Sequence, residues 1–124
     1  MKKWMAVMIG FFAVTAFAAS GFTKDFTRKK VLFIDSYHEG YAWSDGITRG
    51  VQKVLDGTGA ELKIFRMDTK RNTADAYKSE AALKAKALIE TYRPDVVIAA
   101  DDNASKFLIQ PYFKEADLPF VFCG

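Results

Sequence analysis

Two short runs, Val96–Ala100 (VVIAA) and Phe120–Phe122 (FVF), are apolar at every position. A strand that alternates apolar and polar residues keeps one face wet. A strand with no polar residue has to be buried on both faces, and that is the habit of parallel sheets covered by helices on either side. The remaining pattern agrees. Val31–Asp35 (VLFID) reads as a first strand. From Ser44 to about Asp56, Ile47, Val51, Val54 and Leu55 recur at helical spacing, and Gly57 and Gly59 end the helix. Glu61–Arg66 reads as a second strand. A second helix runs from about Ala74 to Tyr92, with Tyr77, Ala81, Ala85, Leu88 and Tyr92 as its apolar stripe, until Arg93-Pro94 breaks it. A third helix starts near Asn103 and meets Pro111, which should kink or restart it. Leu118–Cys123 holds the fourth strand.

Strands that alternate with helices predict an α/β fold: three layers around a parallel sheet of strand order 2-1-3-4. Right-handed crossovers place helix one on one face and helices two and three on the other. The helix-one face above strands three and four then has no cover. The expectation is an incomplete fold, in which residues 31–124 form one α/β lobe and strand four is an exposed apolar edge.

The N-terminus carries a different signal. Lys2 and Lys3 precede an apolar stretch, and Ala16 and Ala18 stand at the −3 and −1 places of a small-x-small cleavage site. This is the pattern of a secretory signal peptide over residues 1–18, and a periplasmic location follows. The apolar run, Trp4 to Ala19 at most, falls short of the roughly 20 residues of a spanning helix. Residues 19–30 read as a flexible basic lead-in. Loss of Lys2 and Lys3 also removes most of the +3 formal charge, leaving 16 basic against 15 acidic residues. A balance that even gives no reason to expect a nucleic-acid partner. The single cysteine, Cys123, has no internal disulfide partner.

In open α/β sheets, ligands bind outside the carboxyl ends of the strands, where the strand order reverses. That rule gathers three loops. The first holds Ser36, Tyr37, Tyr41 and Trp43, and three large aromatics in one polar loop suit a wall that stacks on a flat or ring-shaped ligand. The second is Asp101-Asp102-Asn103. One of these residues should cap helix three, and the helix start beside an acidic group suits a zwitterion or polyol. The third is Cys123-Gly124. Met67-Asp68-Thr69 lies off the switch point and reads as structural, and Lys70-Arg71 as a solvated loop.

Catalysis finds little support. His38 is the only histidine, which excludes a histidine-rich metal site and leaves a triad a single possible base. Ser36 and His38 lack the glycines of a nucleophile elbow. Neither a Walker motif nor GxGxxG occurs, and no cofactor or metal is implied. Asp35 and Asp101 end strands one and three as in a phosphoacceptor receiver domain. The acidic pair at strand one and the lysine after a fifth strand are missing from that comparison.

The segments VLFIDSYHEGYAWSDGITRGV, PDVVIAADDNASKFLIQPYF and LPFVFCG resemble the periplasmic substrate-binding proteins of ABC transporters. The resemblance is to the type I branch that includes aromatic-amino-acid binders, and it covers residues 31–124. It implies two Rossmann-like lobes joined by a hinge, with a small-molecule ligand closed between them and a transporter permease as partner. This chain would supply the first lobe. The cleft positions then fall on Ser36, Tyr37, Tyr41, Trp43, Asp101, Asp102, Asn103 and Cys123. The SYH-x-GY-x-W pattern is similar also to ligand-sensing ectodomains of bacterial sensor proteins. An exported enzyme on an α/β scaffold is a third reading.

Overall fold

A computed structural model describes residues 24–124. The signal-peptide reading, and the lead-in up to residue 23, lie outside the described residues.

Four strands form one all-parallel sheet. They are β1 (Lys30–Asp35), β2 (Glu61–Arg66), β3 (Val96–Ala100) and β4 (Phe120–Cys123), in the order β2-β1-β3-β4. The fold is therefore the expected α/β arrangement, with β1 and β3 central. In register, Val31 pairs with Leu62 on one side and Val96 on the other, and Val97 pairs with Phe120.

The core lies on the face covered by α2 (Asp75–Tyr92). Leu32, Ile34, Val97 and Ala99 point into it and meet Ala81, Ala82, Ala85, Ile89 and Tyr92. Small alanines let the helix sit close to the sheet, so that Ala82 and Ala85 lose all solvent contact. The stripe is rotated slightly from the sequence reading, because Ala82 and Ile89 join it while Tyr77 and Leu88 are only partly buried. Arg93 takes a left-handed conformation (φ 52°) and its N–H closes on the Ile89 carbonyl, which stops the helix before Pro94.

The third helical segment begins at Asp101 rather than Asn103. It runs as α3 (Asp101–Ala104), widens into a π turn over Ser105–Ile109, and ends as α4 (Gln110–Tyr112). Pro111 stands at the restart, in the first turn of α4. The wide turn lies just ahead of the proline, whose missing N–H leaves a gap in the hydrogen-bond ladder.

The other face differs from expectation in one respect. α1 (Ala42–Leu55) covers β1, where Phe33 and Val31 are buried. Yet its buried positions are Ser44 and Thr48, not its apolar stripe. Ile47, Val51, Val54 and Leu55 instead line an open trough with Ile98 and Cys123, and Val54 is 76% exposed. Val121 and Phe122 on the outer strand are each about half exposed as well.

The lead-in is tied down where it is described. Phe26 N–H donates to the Thr58 carbonyl, Lys29 closes a turn on Phe26, and Glu61 N–H donates to Lys29. Thr27 lies against Gly59 (φ 77°), where a Cβ would come within 2.7 Å of its hydroxyl oxygen. Only glycine fits there without strain.

Candidate functional site

The carboxyl ends of β1, β2 and β3 meet at one rim, and a buried carboxylate organises it. Asp35, the last residue of β1, has no solvent exposure. Its Oδ1 accepts from the Tyr37 backbone N–H at 3.0 Å and the Ser44 hydroxyl at 2.9 Å, and its Oδ2 accepts from the Arg66 guanidinium. Arg66 also lies 3.5 Å from Thr48. This network explains why α1 docks through Ser44 and Thr48: Ser44 donates to Asp35 and Thr48 accepts from Arg66. Nothing in the local sequence pattern marks that role, because the partners are 9 and 31 residues away in the chain.

Ser36 lies beneath the rim rather than on it. It is fully buried, its hydroxyl donates to the Ala100 carbonyl, and it accepts the Ala104 N–H at 2.8 Å. With both functions of the hydroxyl in use, Ser36 pins the start of α3 to β1. This corrects two expectations. Ser36 offers no group to a cleft, and the cap of helix three comes from Ser36, since no side chain of Asp101, Asp102 or Asn103 caps it.

Above Ser36 the aromatic loop takes shape. Tyr37 and Tyr41 meet edge to face with ring centroids 5.4 Å apart. Trp43, at the second position of α1, is 53% exposed and donates its indole N–H to Asp101 Oδ1 at 3.1 Å. The first and second loops are thereby joined across the mouth of the site.

Asp101 carries three unusual features. Its backbone is left-handed (φ 68°), a conformation that costs a non-glycine residue energy and clusters at functional sites. Its Oδ2 is buried without a hydrogen-bond partner. Burial pushes its carboxyl above the usual carboxylate range, and Asp35 and Asp102 push the same way, against the Trp43 bond and Lys70. Gly124 (φ 127°) presses on it so closely that a Cβ would lie 2.9 Å from Oδ1 and 3.1 Å from the Asp101 nitrogen.

Asn103 turns away from the mouth and donates to Thr69 Oγ1 at 2.9 Å. Asp102 is exposed. Cys123 is half-buried at the end of β4, and burial raises its thiol pKa, helped by Asp101 and Asp35.

The loop after β2 packs beside the rim: Met67 and Thr69 are buried, in keeping with their structural reading, and Lys70 and Arg71 are exposed. Asp68 N–H donates to the Tyr37 carbonyl at 2.8 Å, and Thr69 binds the Ser36 carbonyl through both its N–H and its hydroxyl. The Lys70 ammonium sits 5.3 Å from the Tyr37 ring centre and 5.1 Å from that of Tyr41. Arg71 pairs with Asp68 at 2.7 Å. Burial raises the Tyr37 hydroxyl pKa, with Asp101 adding to the effect and Lys70 opposing it.

Of the eight predicted site residues, the rim brings Tyr37, Tyr41, Trp43 and Asp101 together, with Cys123 at its floor and Asp102 at its outer lip. Ser36 and Asn103 serve as struts. Lys70 is the member that sequence reasoning missed. Its only signal was its place in the loop that follows the second strand's carboxyl end.

The chain matches no protein-family model, no curated protein and no solved structure. Among the described residues no helix is long and apolar enough to cross a membrane, and no group of three or more His, Cys, Asp or Glu side chains is arranged to hold a metal ion.

Proposed function

We propose that this chain is the N-terminal lobe of an exported solute-binding protein that serves an ABC-type uptake system in the periplasm. The lobe holds one wall of a cleft for a small molecule, an amino acid or similar solute. A second lobe supplies the opposite wall, and a transporter permease receives the ligand. The observation that carries this reading is the gathering of Tyr37, Tyr41, Trp43 and Asp101 at the switch point of the sheet, joined by the Trp43–Asp101 bond. A half-exposed indole held in place by one hydrogen bond is a surface prepared for stacking.

A binding role is favoured over a catalytic one by the state of the polar groups. The Ser36 hydroxyl is saturated, the Ser44 hydroxyl is committed to Asp35, and His38 Nδ1 lies 2.9 Å from its neighbour's carbonyl at Glu39. The Ser36 and Ser44 hydroxyls are thus both held in bonds that join parts of the fold.

The test is a thermal-shift screen of the full chain with amino acids, sugars and nucleobases, followed by fluorescence titration of the hits. A ligand of the rim raises the midpoint with the logarithm of one plus its concentration over its dissociation constant. The effect should vanish in Trp43→Ala and weaken in Tyr41→Ala. Hits that survive both substitutions unchanged would refute the rim as the binding surface.

A further inference from the structure

Lys70 stands apart from the other basic side chains of the rim. Its neighbour Arg71 is held by both oxygens of Asp68, and Arg66 is held by Asp35. Lys70 has no ion pair among the described residues; its ammonium sits instead in the corner made by two perpendicular tyrosine rings. Two of the nearby carboxylates, those of Asp68 and Asp101, are already committed. Asp68 gives its oxygens to Arg71 and Asn72. Asp101 gives Oδ1 to Trp43, and its Oδ2 is buried out of reach. Asp102, exposed on the outer lip, forms no ion pair with Lys70.

An ammonium carries three donors and no acceptor. Ring faces hold its charge in place but accept no ordinary hydrogen bond. The two tyrosines therefore fix the position of a flexible cation beside the stacking wall and leave its donors open. An anionic oxyacid supplies what this arrangement lacks, namely a negative charge and several acceptor oxygens in one group.

We infer that Lys70 is a specificity-determining residue of the rim, which selects ligands bearing an anionic oxyacid group, carboxylate or phosphate, attached to a ring that stacks on Tyr37, Tyr41 or Trp43. The inference rests on the reading of the rim as a small-molecule site and adds the charge class of its ligand. It assigns the anion to the loop after β2 rather than to the start of α3, whose Ala104 N–H is already taken by Ser36.

The experiment uses the full chain and four probes of similar size: benzoate, phenyl phosphate, benzylamine and benzyl alcohol. Binding is measured by calorimetry and by tryptophan fluorescence, in wild type, Lys70→Met and Lys70→Arg. Thermal unfolding of each variant confirms that it is folded. One or both anions should bind about tenfold or more tightly than the amine and the alcohol, as a charge-assisted hydrogen bond implies. Lys70→Met should abolish that preference and leave benzyl alcohol unchanged, whereas Lys70→Arg should keep it. Added salt should reduce the preference. The benzoate and phenyl phosphate arms distinguish a carboxylate from a phosphate ligand. Amine or alcohol bound as tightly as the anions, or a preference that survives Lys70→Met, overturns the role of Lys70 while the small-molecule reading stands. If none of the four binds wild type, that reading falls and the role of Lys70 falls with it.

Discussion

Replacing Asp35 by alanine tests the network on which the rim rests. The substitution removes the acceptor of three donors at once: the Tyr37 N–H, the Ser44 hydroxyl and the Arg66 guanidinium. Ser44 is fully buried, so its orphaned hydroxyl costs about 1–3 kcal/mol. Breaking a buried ion pair costs about 3–5 kcal/mol when the surviving charge stays buried. The Arg66 side chain keeps 22% of its exposure and therefore regains some water, which moves its share below that range. The combined loss is about 4 kcal/mol, a large part of the 5–15 kcal/mol that stabilises a domain of this size. Asp35→Asn keeps an acceptor for Tyr37 and Ser44 and loses the charge opposite Arg66, at a cost of about 1–2 kcal/mol. Urea unfolding followed by far-ultraviolet circular dichroism measures both, and tryptophan emission reports whether the aromatic loop moves before the rest unfolds. An alanine variant within about 1 kcal/mol of wild type would show that water replaces the carboxylate, and the account of the rim's organisation would fail.

The other expectations are simpler. Trp43→Ala should leave stability within about 0.5 kcal/mol of wild type, because the side chain is half exposed, and should weaken a rim ligand by about 1–3 kcal/mol in calorimetry; a loss of stability with affinity intact would place Trp43 among the packing residues. The Asp101 carboxyl titrates above its unfolded value of 3.8 in the folded chain, so the group favours folding most at pH below 3.8, and that contribution is lost as pH rises through the folded pKa. Asp101→Asn should therefore gain on wild type as pH is raised from below 3.8 to neutrality, and a difference that stays constant in urea unfolding across that window would contradict the assignment. Gly59→Ala should cost about 2 kcal/mol, since it combines a positive φ with a collision at Thr27. Gly50→Ala, in the interior of α1 with nothing within 4 Å, should stabilise by about 0.5–1 kcal/mol, and equal effects at the two glycines in thermal unfolding would refute the distinction.

The strands were legible because burial writes itself into adjacent residues. VLFID, ELKIFR, VVIAA and FVF each declared a strand within a few positions, and their order is the one that doubly wound alternation of strands and helices predicts. The position of the rim followed from the same rule. Roles set by partners distant in the chain did not show. Ser36 had the look of a cleft residue, and its buried hydroxyl instead joins β1 to α3, 68 residues on. The apolar positions of α1 had the look of a core stripe, and the helix docks through Ser44 and Thr48 because Asp35 and Arg66 lie beneath them. Lys70 had the look of a solvated charge, and only the fold brings it over two tyrosines of another loop. Hydrogen-bond partners at that separation leave no period in the sequence to read.

The parallel sheet also governs how the chain reaches this state. β1 finds its first partner only at Glu61 and its second only at Val96, and β3 finds β4 only at Phe120. No hairpin or other local pairing offers a start, so each ladder waits on the closure of a long loop, a topology that slows folding. A ribosome or a translocation pore delivers VLFI early and its neighbours much later. Throughout that interval a segment buried on both faces in the finished protein has nothing of its own chain to lie against. It is β-branched, weakly charged and long enough to pair with a second unfolded copy. The residues that become the central strand thus stay open to misassociation until their partners emerge, and the rate at which α2 and β3 arrive sets how long that interval lasts.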